Sequence, residues 1–304
     1  MPTSIESLFR PDRYPLSSKY DPRWIVDLEM GPNPLWQLED LLTEMRLRPG
    51  QRVLDLGCGK GATSVFLARE LGVEVVAFDL WVSEAELRTN LEAAGVAAQV
   101  TPVHGTVLDL PFGDGEFDAI LSVDAFEYFG TDVHLLPRLL RVLKPAGSLG
   151  MSTPALREDP YEAAPPVCVT DLFGWEVAAW HSPGWWARHW TLSGMLDDVT
   201  ARMQEGGSED WLIWSRSLEQ DQDSPVTRML EDMGAGIGFA LVTGTKTTDV
   251  AHSTVKRASS TVIRPAAASI ATASTQRAGC SGSPASAIAT SSRRRRSASV
   301  RLGP

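Results

Sequence analysis

The stretch "VLDLGCGKG", residues 53–61, decides the fold. It opens as a buried strand, and the three glycines that follow, Gly57, Gly59 and Gly61, bare the backbone where a ligand would approach. A dinucleotide's pyrophosphate calls for G-x-G-x-x-G at the head of a helix. Here the spacing is G-x-G-x-G, and Asp55 stands two residues ahead of Gly57, where a diphosphate would be repelled. The pattern suits a ligand that carries a positive group.

Outward from this strand, apolar runs alternate with segments of helical period, the mark of a parallel sheet covered by helices on both faces. The expected strands are 52–56, 74–78, 99–103, 118–123, 147–152, 198–204 and 236–244. Helical periods run over 61–71, 83–94 and 132–143, the last despite Pro137, with further helices beginning near Trp211. Ahead of the first strand, Asn33 and Pro34 form an N-cap and first-turn pair for a helix whose Leu35, Leu38, Leu41, Leu42 and Met45 return on one face.

The 304 residues, 43% hydrophobic and 22% charged, have the composition of a soluble globular protein with one main domain. No apolar run reaches the ~18 residues of a membrane span. The start "MPTSIESLFRPDRY" lacks the order of a secretory signal, so a cytoplasmic protein without membrane attachment is expected. Cys58, Cys168 and Cys280 are too scattered for a structural zinc site, and free thiols with no metal are expected. Residues 246–304 hold ten of the chain's 28 Lys and Arg but only one of its 38 acids, Asp249. The body ahead of them is therefore strongly acidic and would repel a phosphate backbone, which argues against a nucleic-acid substrate. The tail itself, rich in Ser, Ala, Thr and Arg and without an aromatic residue, reads as disordered, with Arg293–Arg296 a solvated run. Its composition is also that of GC-rich sequence read out of frame.

A second acid sharpens the ligand. "VEVVAFDLW" is a strand ending at Asp79, 22 residues after Gly57, where a carboxylate accepts hydrogen bonds from the hydroxyls of an adenosine ribose; Leu80 and Trp81 follow as an apolar wall for adenine. With "GTVLDLPF" (105–112), "FDAILSVDAFEYF" (117–129) and "LLRVLKPAGSLGMSTP" (139–154), the chain resembles the class I S-adenosylmethionine-dependent methyltransferases over residues 50–245. "DLW" and "HSPGWWARHW" bring it near a bacterial small-molecule subgroup, from which Glu127 departs by standing where a His is usual. The resemblance implies a Rossmann-like sheet of seven strands, mostly parallel with the seventh antiparallel. It also implies residues 1–49 as an N-terminal helical lid, 50–245 as the catalytic domain with an acceptor-side insert at about 155–196, and 246–304 as a dispensable tail.

Residue by residue, the resemblance implies S-adenosylmethionine lying against Gly57, Cys58, Gly59 and Gly61, with Asp55 favouring its ammonium and Asp79 taking its ribose. Leu80, Trp81, Val123 and Asp124 complete the donor site. Adenine normally meets an Asp-Ala pair after the third strand; here Thr106 and Val107 stand there, with Asp109 three residues on as a substitute or a turn cap.

Acceptor choice falls to two added segments. The N-terminal one offers Tyr14, Ser17, Lys19 and Tyr20 to close the site. The insert carries Trp175, Trp180, Trp185, Trp186 and Trp190, half of the chain's ten tryptophans. Trp186 is assigned to an aromatic acceptor pocket, which suits a flat, apolar or cationic acceptor, while Trp185 and Trp190 are expected to pack the insert's own core. A catalytic base, if used, is sought among His181, Glu127 and Tyr128, His181 being equally readable as the cap of a helix beginning near Pro183. The function implied is methyl transfer to a small molecule at oxygen, nitrogen or carbon, by a monomer or homodimer. A nicotinamide-dependent oxidoreductase and a non-catalytic donor-binding protein are the alternatives.

Overall fold

β1 (Arg52–Leu56) is buried on both faces, which marks it as a central strand of a parallel sheet. In the computed structural model, which describes residues 5–218 and 224–248, it lies third in a seven-stranded sheet. The other strands are β2 (Glu74–Asp79), β3 (Val100–His104), β4 (Phe117–Val123), β5 (Leu143–Leu156), β6 (Leu196–Met203) and β7 (Ile237–Lys246). Their order is β3-β2-β1-β4-β5-β7-β6, with β7 antiparallel to both of its neighbours. The fold is thus the expected Rossmann-like one. The chain winds from β1 to β2 and β3, then returns to β4 on the other side of β1. The carboxyl ends of β1 and β4 therefore open a crevice at this reversal, which is where such sheets bind ligands.

Successive residues of β1 face opposite layers, Val53 one core and Leu54 the other. The first layer holds α2 (Pro34–Leu41), α3 (Ala62–Leu71) and α4 (Glu84–Ala93); the second holds α5 (Leu135–Val142) and α7 (Pro183–Leu192). Asn33 caps α2 as its sequence implies, its Oδ1 accepting from the Leu35 and Trp36 N–H groups at 3.0 and 3.4 Å. α5 tolerates Pro137 because its third position lacks an intrahelical N–H partner anyway, and the helix begins at Leu135 rather than 132.

β5 is longer than its sequence suggests. At its start Leu143 already pairs with Phe117 of β4, across an irregularity at which Ala146 takes a left-handed φ of 59°, and at its end the antiparallel ladder with β7 runs on to Leu156–Ile237. Between β6 and β7 lie α8 (Gly207–Leu218) and α9 (Pro225–Met233), the first starting ahead of the expected Trp211. A third core joins Val169 of α6 (Val167–Phe173) and Trp180 to Trp211, Leu230 and Phe239.

The N-terminal segment is anchored at its start, and its later residues border the crevice. After α1 (Pro22–Asp27), residues 28–34 cross the sheet's carboxyl edge. Tyr14 stacks on Trp36 with ring centroids 5.4 Å apart and donates its hydroxyl to Asp210, which also pairs with Arg10. Apart from residues 246–248, the expected tail, with Cys280 and Arg293–Arg296, lies outside the described residues. Among the described residues no helix is long and apolar enough to cross a membrane, and no group of three or more His, Cys, Asp or Glu is placed to hold a metal ion.

Candidate active site

The turn after β1 needs its glycines for two separate reasons. Gly57, Gly59 and Gly61 take left-handed φ values of 75°, 53° and 95°, which side chains resist. A Cβ on Gly57 would also lie 2.5 Å from that of Ala125, and one on Gly59 2.9 Å from the Met30 sulfur. The bare turn lets β1, the start of the β4 loop and the N-terminal crossing converge on one groove. Asp79, at the end of β2, holds this turn in shape. Its Oδ2 accepts from the Gly59 N–H at 2.8 Å, and its Oδ1 from the Trp81 and Val82 N–H groups at 2.7 and 2.9 Å.

Of the expected donor residues, Gly57, Cys58, Gly59, Asp79, Leu80, Trp81, Val107, Val123 and Asp124 line the groove. Leu80 and Trp81 are exposed along its rim. Three others lie beneath or beside it. Asp55 is buried under the turn and accepts from the Thr63 and Ser64 hydroxyls at 2.7 and 2.5 Å; burial raises its pKa to about 6. Gly61 faces Leu87 of α4, 2.8 Å from where its Cβ would stand. The Thr106 hydroxyl accepts from the Leu108 N–H at 3.3 Å, while the Asp109 N–H donates to the Thr106 carbonyl, closing a turn beside the groove. Met30 and Gly31, within the N-terminal segment expected to close the site but not singled out there, form the groove's N-terminal wall with Pro34. A Cβ on Gly31 would collide with the Asp124 carboxylate, so the crossing approaches the β4 loop as closely as a glycine permits.

Beyond β4 the chain turns at Asp124, itself at a left-handed φ of 54°, into a short helical turn, Phe126–Tyr128. Tyr128 lines both the groove and a second cavity of about 490 Å³, and its ring meets Trp81 edge-on at 4.9 Å. Glu127, Tyr128 and His181, the three residues named for catalysis, share this second cavity with Thr131, Tyr161, Trp175 and Trp185. His181 is positioned because Leu156, ending β5, donates its N–H to the Trp180 carbonyl at 3.0 Å, returning the insert to the sheet. Its Nδ1 lies 3.0 Å from Asp159 Oδ2, and its ring stacks on Trp185 at 3.4 Å. Burial lowers its pKa despite Asp159, so the imidazole is neutral at physiological pH; Nδ1–H then donates to Asp159 and Nε2 is left as the acceptor. The helix cap is Ser182, not His181, its hydroxyl accepting from the Trp185 N–H at 3.3 Å.

The remaining acceptor-side residues are redistributed. Trp186 is wholly buried against Phe126 at 5.8 Å, outside both cavities, whereas Trp185 forms cavity wall: the reverse of what adjacency in sequence suggested. Tyr14 and Tyr20 also lie outside both, Tyr20 stacking on Phe66 at 5.8 Å. Ser17 bonds Glu39 and Lys19 pairs with Glu70 at 2.5 Å, so these side chains fasten the N-terminal segment.

Glu127 is buried, accepts from the Thr153 hydroxyl at 2.8 Å, and is pushed up to about 7 by desolvation, with Glu176 adding to the shift. Asp124 is raised well above its ordinary range by burial, then by Glu127 and Glu176. A carboxyl whose folded pKa is raised stabilises the fold most below its unfolded value, and that stability is lost as pH climbs through the folded value. Glu127→Gln keeps the Thr153 hydrogen bond and removes the ionisation. Urea unfolding is therefore expected to find the variant gaining on wild type by about 1–3 kcal/mol between pH 5 and pH 8.5. An equal difference at both pH values would mean that Glu127 ionises freely.

A methyltransferase-domain family profile matches residues 53–147, from β1 through the start of β5. The glycine/sarcosine/dimethylglycine N-methyltransferase of Actinopolyspora halophila is 36% identical over 111 residues, 36% of this chain and 19% of that protein. The demethylmenaquinone methyltransferase of Mycobacterium tuberculosis (strain H37Ra) is 31% identical over 134 residues, 44% of this chain and 53% of that one. The chain thus spans about half, or less, of the length of these curated relatives. Among solved structures, phosphoethanolamine N-methyltransferase 2 of Haemonchus contortus, in complex with S-adenosyl-L-methionine, superposes with a TM-score of 0.61 at 18% identity, covering 80% of this chain and 60% of that one.

Proposed function

We propose that the chain, whose residues 53–147 match a methyltransferase-domain profile, is a class I S-adenosylmethionine-dependent methyltransferase that transfers a methyl group from S-adenosylmethionine to a small molecule held in the second cavity. One observation carries the reading: Tyr128 lines both chambers, so a donor in the groove has the acceptor's room next to it. The residues present fit the donor. Asp79 stands at the groove for the ribose hydroxyls, Leu80, Trp81 and Val107 offer an apolar seat for adenine, and the bare Gly57–Gly59 backbone faces the methionine part. With Asp55 occupied beneath the turn and Asp79 set at the ribose, Asp124 is the acid we assign to the donor's ammonium, whose charge would draw it, raised as it is by burial, into the ionised form. The donor supplies an electrophilic methyl on sulfur. The protein's own work is to align the acceptor, exclude water and take up a proton, for which we assign His181, oriented by Asp159.

The nicotinamide alternative has no support in the groove, whose turn lacks the dinucleotide spacing. Thermal-shift measurement tests the choice: S-adenosylmethionine and S-adenosylhomocysteine are expected to raise the melting temperature and NAD is not, since a ligand stabilises only the protein that binds it. A shift with NAD alone would overturn the assignment. Incubation with labelled donor and a metabolite pool then separates an enzyme, which releases labelled product, from a protein that merely holds the donor.

A further inference from the structure

The charge and surface of the second cavity narrow its ligand. Tyr161 and Trp175 stand at its mouth, 74% and 72% exposed, the most open aromatic rings among the described residues. One face of Tyr161 is taken by His181 at 5.3 Å, and Trp185 is sandwiched between His181 and His189; free ring faces are thus offered by Tyr161 and Trp175. At the inner end sits Glu127, 6% exposed, hydrogen-bonded to the neutral Thr153 hydroxyl rather than to a cation. Among the described residues no Lys or Arg lines the cavity, and its one imidazole, His181, is neutral. Glu176 lies close enough to raise the pKa values of Glu127, Asp124 and Tyr128.

Ring faces attract positive charge, and a cation bound beside Glu127 would draw that raised carboxyl into its ionised form. A buried carboxylate without a basic partner is costly, and a fold that needed Glu127 only for packing would do better with a neutral side chain there. An anionic acceptor, a phosphate ester or a phenolate, would meet Glu127 with no protein cation to offset it. Resting on the methyltransferase reading above, we propose that the acceptor is an amine that enters as its ammonium ion, seated on the Tyr161 and Trp175 rings with Glu127 as counter-ion.

The reaction then balances within the site. The ammonium gives one proton to His181 Nε2 and becomes a free amine. Its nitrogen lone pair forms the bond to the donor's methyl carbon while the carbon–sulfur bond breaks, its electron pair remaining on sulfur. S-adenosylhomocysteine leaves neutral at sulfur, the product leaves as an N-methylated ammonium, and His181 returns the proton to water. Substrate and product are both cations, so the same rings and carboxylate serve each.

The test uses the full chain saturated with S-adenosylhomocysteine and titrated with tetramethylammonium, a cation that cannot itself be methylated, against tert-butyl alcohol as a neutral molecule of similar girth. Tetramethylammonium is expected to bind saturably, and Trp175→Ala and Glu127→Gln each to weaken it at least about tenfold, within the range of a desolvated cation–π interaction or a removed counter-ion. Trp175→Phe, which keeps a ring, should retain most of the affinity. S-adenosylhomocysteine affinity is expected to hold in all three variants. Saturable donor-product binding with no response to tetramethylammonium, equal binding of tert-butyl alcohol, or unchanged affinity in both Trp175→Ala and Glu127→Gln would each overturn the proposal while leaving the methyltransferase reading intact. Failure of S-adenosylhomocysteine itself to bind would remove that reading, and this proposal with it.

Discussion

Replacing His181 by alanine is expected to slow methyl transfer at least about 100-fold in a single turnover with donor saturating, roughly 2.7 kcal/mol of barrier, while donor affinity stays unchanged. The expectation rests on three features that coincide at this residue. Its ring borders the second cavity, Asp159 fixes its tautomer from 3.0 Å, and burial holds it neutral, so Nε2 accepts a proton without first losing one. In wild type the rate should rise with pH through a pKa below the ordinary imidazole value of about 6.5 and then level off; His181→Ala should lose that limb. Asp159→Asn acts through His181. Its amide can present a donor to Nδ1 and so shift the proton to Nε2, and it should depress the rate without moving donor affinity. Glu127, raised to about 7, is the rival base in the same cavity. If Glu127→Gln removes the pH limb and His181→Ala turns over like wild type, the base is the carboxylate and the assignment to His181 is wrong.

The sheet was legible because its strands obey local rules. A strand buried on both faces must be mostly apolar, and "RVLDL" and "FDAILSV" are; an N-cap must supply a side-chain acceptor, and Asn33 does. The glycine turn was legible too, because positive φ and close approach leave few residue choices. What these rules do not encode is which of two neighbouring surfaces an element presents. Trp185 and Trp186 sit about 100° apart on one helix, and both are apolar aromatic rings. One borders the cavity and the other enters the core against Phe126.

Polar residues misled in a related way. Tyr14, Ser17, Lys19 and Tyr20 look suited to close a site, yet each is engaged by an acid from a distant part of the chain, Asp210, Glu39 or Glu70, pairings with no local spacing to betray them. The groove's N-terminal wall is built instead from Met30, Gly31 and Pro34, whose one signal was a glycine flanked by bulkier residues. Asp159 is the same case at longer range. It orients His181 from 22 residues away, across α6 and the helical turn that follows it, and no period connects the two.

The two acids of the glycine motif offer the sharpest separation of binding from folding. Asp79 borders the groove, and its oxygens already accept from the Gly59, Trp81 and Val82 N–H groups, so it shapes the turn that it would also equip to hold the ribose. Asp79→Ala removes both functions. Donor affinity by isothermal titration is expected to fall by about 2–3 kcal/mol, some 30- to 150-fold, because the variant lacks a charge-assisted acceptor and leaves two ribose hydroxyls unpaired. Stability should fall as well, by about 1–3 kcal/mol, because three backbone donors at a half-buried edge lose their acceptor. Asp55→Asn is the control. Its carboxylate lies under the turn on the Thr63 and Ser64 hydroxyls, away from the groove, so the amide should alter stability and leave donor affinity within about threefold of wild type. An Asp79→Ala variant that is destabilised but binds the donor normally would reduce Asp79 to a turn cap and move the ribose elsewhere in the groove. The reverse pattern, weakened affinity with stability intact, would mean that water can replace the carboxylate on the three N–H groups but not on the ribose.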